Sequence, residues 1–178
     1  MRLRHLVLAA FLAAITAICS LLAIPNPLLP TVPFTLQVFA VCLTGLLLPI
    51  GWAFAAQVVY LLLGIIGLPV FAGGASGPAV LFTVTGGFLW SYPLAAAACS
   101  LLAGRRAPLW RLLAGGVVAI LVIYALGFAG MVQFGHLPAT AATLLGLGTF
   151  LPWDLLKAGI AAAAALRVRA ALRSGVVA

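Results

Sequence analysis

The sequence predicts an all-α integral membrane protein of six transmembrane helices with both termini in the cytoplasm, and three observations carry that prediction. Hydrophobic residues make up 66% of the chain and charged residues 6%, against roughly 25% charged in soluble domains. At about 20 residues per crossing, the apolar segments account for most of the 178 residues, so residues 1–178 read as a single membrane domain with short loops. The basic residues other than Lys157 gather at the chain ends and in one short loop, where Lys and Arg mark cytoplasmic segments.

The first helix is predicted over 5–23. Met1-Arg2-Leu3-Arg4-His5 ahead of an apolar run to Ile24 also fits a secretory signal peptide, but the run is longer than a usual signal core and further spans follow it. Thr16-Ala17-Ile18-Cys19 departs from a lipoprotein cleavage site, because Ile18 is bulky where a small residue is needed. Pro25, Pro27, Pro30 and Pro33 then forbid a continuing helix. Helices two and three are predicted over 35–48 and 52–66, joined by Pro49-Ile50-Gly51, and both are short for spans. A loop with Pro69, Gly73, Gly74, Gly77 and Pro78 leads to helix four over 85–102.

Arg105, Arg106 and Arg111 mark the next connection, and helix five follows over 112–132. A stretch containing Gly, Thr and Pro, from Gly135 to Thr149, is read as a break. Pro152 then suits the first turn of helix six, predicted over 151–167, where its missing N–H costs nothing. With six crossings, Arg2, Arg4, the group from Arg105 to Arg111 and the C-terminal arginines all fall on one side. The three outer loops then hold no Lys or Arg, whereas five crossings would put the arginine-bearing termini on opposite faces.

The formal net charge of +8 therefore reads as topology and not as nucleic-acid binding. Cys19, Cys42 and Cys99 stand singly in apolar stretches without metal-ligand spacing and read as packing residues. No H-E-x-x-H, Walker or G-x-S-x-G pattern occurs, and neither His5 nor His136 lies near a nucleophile in sequence. An intramembrane enzyme therefore has little support, no metal or cofactor is expected, and energy from ATP would require another subunit.

Asp154 is the only acidic residue and Lys157 the only lysine. Three positions apart, they share one face of helix six. An ionisable group at mid-membrane costs on the order of 2.5–3.5 kcal/mol on insertion scales, so the pair needs a reason. One reason is mutual satisfaction, or a snorkelling Lys157 beside an Asp154 that caps the helix start. The other is that both face a cavity open to the outside and bind a polar solute, with Asp154 kept ionised by the nearby helix N-terminus.

Gln37 and Gln57 either line the same cavity or bond between helices. Ser76, Thr85 and Gly86 lie in or beside a glycine-rich outer loop whose backbone can approach a ligand closely. Trp52, Trp90, Trp110, Trp153, Tyr60 and Tyr92 fit interfacial anchors, and Trp90, Tyr92 and Trp153 are also candidate walls for an apolar solute face. Ala9, Ala13 and Ala17 form a small-residue stripe on helix one, suited to internal packing or to docking a partner helix.

Four strings together resemble the BioY family, the biotin-specific substrate-capture (S) components of energy-coupling factor (ECF) transporters. They are Pro33-Phe34-Thr35-Leu36-Gln37, Gly67-Leu68-Pro69-Val70-Phe71-Ala72-Gly73-Gly74, Thr85-Gly86-Gly87-Phe88 and Asp154-Leu155-Leu156-Lys157-Ala158. The resemblance implies a six-helix bundle in a bacterial cytoplasmic membrane that holds biotin, its transported substrate, beneath the outer loops. It implies that Asp154 and Lys157 face the ureido ring, and that Ala9, Ala13 and Ala17 meet a membrane scaffold coupled to two ABC-type ATPases. The family's usual G-P-T-G-G reads Thr83-Val84-Thr85-Gly86-Gly87 here. Every arginine is assigned to the cytoplasmic side, which leaves biotin's carboxylate to Lys157, His136, loop N–H groups or water. A carrier driven by an ion gradient, with Asp154 as proton site, is the rival reading.

Overall fold

A computed structural model describes residues 2–104 and 107–173. Arg105 and Arg106, and the side chains of Arg2 and Arg173, lie outside the described residues. Six helices follow one another: α1 (Arg2–Leu21), α2 (Gln37–Leu47), α3 (Ile50–Ile65), α4 (Gly86–Ala103), α5 (Leu109–Gln133) and α6 (Ala139–Arg173). Two 3-10 turns, Ala72–Gly74 and Pro78–Phe82, fill the α3–α4 connection.

Four of the helices, α1, α4, α5 and α6, are long and apolar enough to cross a bilayer. The 11 residues of α2 reach only about 16 Å at 1.5 Å per residue, half the hydrocarbon thickness. Its role is central: α2 packs against each of the other five helices, and nearly all its residues are buried. The proline-rich segment after α1 turns back on itself, with Ile24 and Phe34 exchanging both backbone hydrogen bonds at 2.8 and 2.9 Å.

Close backbone approach joins α4 to α5. A Cβ on Gly87 would stand 2.3 Å from the Leu126 carbonyl oxygen and 2.9 Å from the Gly130 Cα, so only glycine fits there. Between α1, α2 and α3, Gln57 donates to the Thr16 and Thr44 hydroxyls at 3.1 Å each.

The break expected from Gly135 to Thr149 is helical from Ala139 onward, a correction with a packing cause. Gly146 reads as a loop residue, yet a Cβ there would lie 2.3 Å from the Phe128 ring. It is a helical glycine that admits an aromatic ring of α5. Pro152 accordingly sits inside α6 and not at its start.

The start of α1, the α2–α3 turn, the end of α4 and the end of α6 gather at one end of the bundle. The proline-rich loop, the start of α2, the 3-10 turns and the start of α4 gather at the other.

Candidate solute-binding site

Asp154 lies in α6 about four turns from its first residue, too far for the helix N-terminus to act on it, since that influence fades within the first turn. The carboxylate is held by side chains instead. Lys157 Nζ stands 2.8 Å from Asp154 Oδ1. Tyr124, reaching across from α5, donates its hydroxyl to Asp154 Oδ2 at 2.8 Å. Asp154 is 3% exposed, so these partners replace water around a charge that hydrocarbon would not tolerate alone.

A cavity of about 260 Å³ opens on this pair, close to the lower end of the roughly 300–1,000 Å³ usual for small-molecule sites. Gln37 stands on its wall in a fixed pose, accepting from the Thr35 hydroxyl at 2.9 Å and donating to Tyr60 at 2.7 Å. Phe71, Phe88, Tyr92 and Phe150 supply an apolar surface. Tyr60 backs it with edge contact to Phe71 at 5.8 Å between ring centroids. Thr31, Thr35, Thr83 and Thr85 contribute hydroxyls. The Thr83 and Thr85 oxygens lie 3.1 Å apart.

An ionised carboxylate has about four acceptor positions and an ammonium three donors. The contacts among the described residues use two of the former and one of the latter. Polar capacity of both signs therefore remains, side by side at the edge of an apolar chamber.

Of the residues singled out in sequence, Asp154, Lys157, Gln37, Thr85 and Tyr92 line this cavity. Others are placed elsewhere. Trp90 is 46% exposed, with its indole N–H donated to the Leu81 carbonyl at 3.0 Å. Trp153, 56% exposed, points to an apolar groove outside the cavity. Ser76 is exposed on its loop and His136 on the α5–α6 turn, both off the cavity wall. Gly86 is buried, and a Cβ there would strike the Leu81 carbonyl at 2.1 Å; its smallness serves chain packing.

Gln57 is fully buried in the junction of α1, α2 and α3. Ala9 and Ala13 are also buried in the protein's own core, which corrects the reading of that stripe as a docking face: only Ala17 is partly exposed. The outward face of α1 carries Leu3, Val7, Phe11 and Ile18, with Ala10 and Ala14 exposed among them.

Tyr124, Phe71, Phe88 and Phe150 were not singled out individually. Phe71 and Phe88 fall within two of the resemblance strings. Tyr124, thirty residues before Asp154 in the apolar middle of α5, has no local pattern to distinguish it from a packing tyrosine.

A multi-pass helical membrane protein in which a buried ion pair faces a chamber of small-molecule size belongs to the class of membrane solute-binding proteins. The BioY family model matches residues 1–174. Similar curated proteins include the "Biotin transporter BioY" of Thermotoga maritima, 37% identical over 94% of this chain and 96% of that protein. The "Probable biotin transporter BioY" of Bacillus subtilis is 36% identical over 90% of this chain and 89% of its own length. The chain belongs to the BioY family. Its fold matches the crystal structure of "the S-component for biotin from an ECF-type ABC transporter" with a TM-score of 0.87 at 23% identity, over 94% of this chain and 92% of the other.

Proposed function

We propose that the chain captures biotin for uptake and performs no chemistry of its own. The observation that carries this reading is the chain of contacts from Tyr124 through Asp154 to Lys157 at the wall of the 260 Å³ cavity. A ureido ring shows N–H and C=O groups side by side. Asp154 accepts from the N–H groups with its remaining lone pairs, and Lys157 donates to the carbonyl. The aromatic surface of Phe71, Phe88, Tyr92 and Phe150 receives the sulfur-bearing ring and the aliphatic arm. Among the described residues no arginine lines the cavity, so the ligand's carboxylate meets threonine hydroxyls and solvent.

Membership of the family and the printed names of its relatives support biotin as the solute. Six crossings with cytoplasmic termini, in a bacterial inner membrane, place the cavity on the outside and every arginine within. In that arrangement α2 and the segment 24–36 complete one crossing together. The chain contains no Walker pattern, in keeping with an ECF scaffold and ABC-type ATPases as the source of energy.

Binding of radiolabelled biotin to the purified protein tests the reading. Asp154→Ala should abolish high-affinity binding, and a variant that binds as tightly as wild type removes Asp154 from the site. Asp154 is also the one acidic side chain a proton gradient could use. Biotin uptake that collapses with an uncoupler while ATP is maintained would favour a gradient-driven carrier.

A further inference from the structure

The wall of the solute cavity divides by depth. At the floor Asp154 is 3% exposed, and Lys157, three residues farther along α6, is rooted about 4.5 Å deeper. At the mouth Thr31 and Thr83 are exposed, and Thr35 and Thr85 half-buried. A solute that sets a ureido ring against the ion pair therefore presents its carboxyl end to threonines. Among the described residues Lys157 is the sole cation on the wall, and Asp154 engages it at the floor at 2.8 Å.

A hydroxyl has one proton to donate and two lone pairs with which to accept, so the protons at the mouth can be followed one by one. Thr83 gives its proton to the Val80 carbonyl at 2.8 Å. In the 3.1 Å contact between Thr83 and Thr85 the donor is then Thr85. Thr35 gives its proton to the Gln37 amide oxygen at 2.9 Å. Of the four hydroxyls, only that of Thr31 keeps a proton that no bond among the described residues takes up. The backbone at the start of α4 adds no donor to the wall. Gly86 donates to the Thr83 carbonyl at 2.9 Å, Phe88 and Leu89 donate to the Thr85 carbonyl at 3.2 and 3.4 Å, and Gly87 is packed against α5.

The mouth is thus rich in acceptors and poor in donors. A carboxylate, which only accepts, finds one protein donor there and keeps water for the rest. A carboxamide has two N–H donors and one carbonyl, which match the lone pairs of Thr83 and Thr85 and the proton of Thr31. We propose that the solutes of this site include carboxamides of biotin, whose N–H groups are donated to the Thr83 and Thr85 hydroxyl oxygens, and that no negative charge is required at that end. The proposal rests on the reading of the cavity as a biotin site and states which end group its mouth selects.

The test titrates the purified full chain with biotin, biotinamide and biotin methyl ester. Biotinamide should bind at least as tightly as biotin. It should bind about five-fold more tightly than the ester, which is neutral but has no N–H at that end, five-fold being the usual net contribution of one hydrogen bond. Thr83→Val with Thr85→Val should bring amide and ester to equal affinity; the ratio is read, so a general loss of binding does not mimic the effect. Should the double variant bind neither, Thr85→Val alone takes its place and should cut the ratio at least two-fold. Tight biotin binding with biotinamide ten-fold or more weaker overturns the amide assignment and leaves the biotin reading standing. Equal affinity for amide and ester in the wild type, or a ratio that persists in the variant, overturns the role of the two threonines. Binding of none of the three to the wild type overturns both readings.

Discussion

Tyr124→Phe removes one oxygen and leaves the ring, so it isolates the hydroxyl that Asp154 Oδ2 accepts at 2.8 Å. Hydrogen bonds to charged groups contribute about 1.5–3 kcal/mol, equivalent to roughly 10- to 100-fold in affinity at 1.4 kcal/mol per decade. Interhelical hydrogen bonds in membranes average only about 0.6 kcal/mol toward folding, because the unfolded reference also finds partners. Binding compares two folded states, so that discount does not apply. The hydroxyl bonds the carboxylate both with and without solute, however, and only the share that keeps Asp154 aimed at the cavity enters the affinity. A loss of about ten-fold, the lower end of the range, is expected. Titration of purified variants with biotin measures it, and a double-mutant cycle with Asp154→Asn assigns it. With the charge gone, Tyr124→Phe should change affinity less than about two-fold. Wild-type affinity in Tyr124→Phe, or equal losses in both backgrounds, would refute the positioning role.

Gly87→Ala should lower thermal stability by about 1–3 kcal/mol, read as an earlier melting transition, because its Cβ would press on backbone atoms of α5 that have no rotamer to yield. Gln57→Leu should change stability by less than about 1 kcal/mol despite full burial. It forfeits two modest interhelical bonds and removes an amide oxygen that has no hydrogen-bond partner among the described residues. Thr16 and Thr44 keep their bonds to the Leu12 and Ala40 carbonyls. Trp153→Ala should leave the biotin dissociation constant within about two-fold, since its side chain lies outside the cavity; a ten-fold loss would place it back in the site.

The elements that sequence makes legible are those whose cost demands a reason. Asp154 and Lys157 stand out because hydrocarbon penalises charge, and their three-residue spacing alone puts them on one face. Helix existence followed equally well from apolar runs, and four of the six have spanning length in the structure. Glycine and proline misled because the same residues serve two purposes. In soluble-protein terms Gly146, Gly148 and Pro152 signal a break, whereas in α6 Gly146 makes room for Phe128 and the proline is absorbed by the helix. The alanine stripe of α1 carried a related ambiguity, since smallness permits close approach from within or without, and burial of Ala9 and Ala13 decides for within. Tyr124 and Phe150 could not be found by pattern at all: their relation to the cavity exists only across helices, in the packing of α5 and α2 about α6.

The engagement of Asp154 with Lys157 has an electrical corollary. Whether the shared proton rests on nitrogen or on oxygen, the two groups together carry zero net charge. A transmembrane voltage exerts about 2.3 kcal/mol per elementary charge per 100 mV, but it finds nothing to pull on in a neutral couple. If the bundle tilts or reorients to release its cargo, the membrane potential will act at the proposed site only on the cargo's own carboxylate, and Asp154 and Lys157 travel free of electrical work.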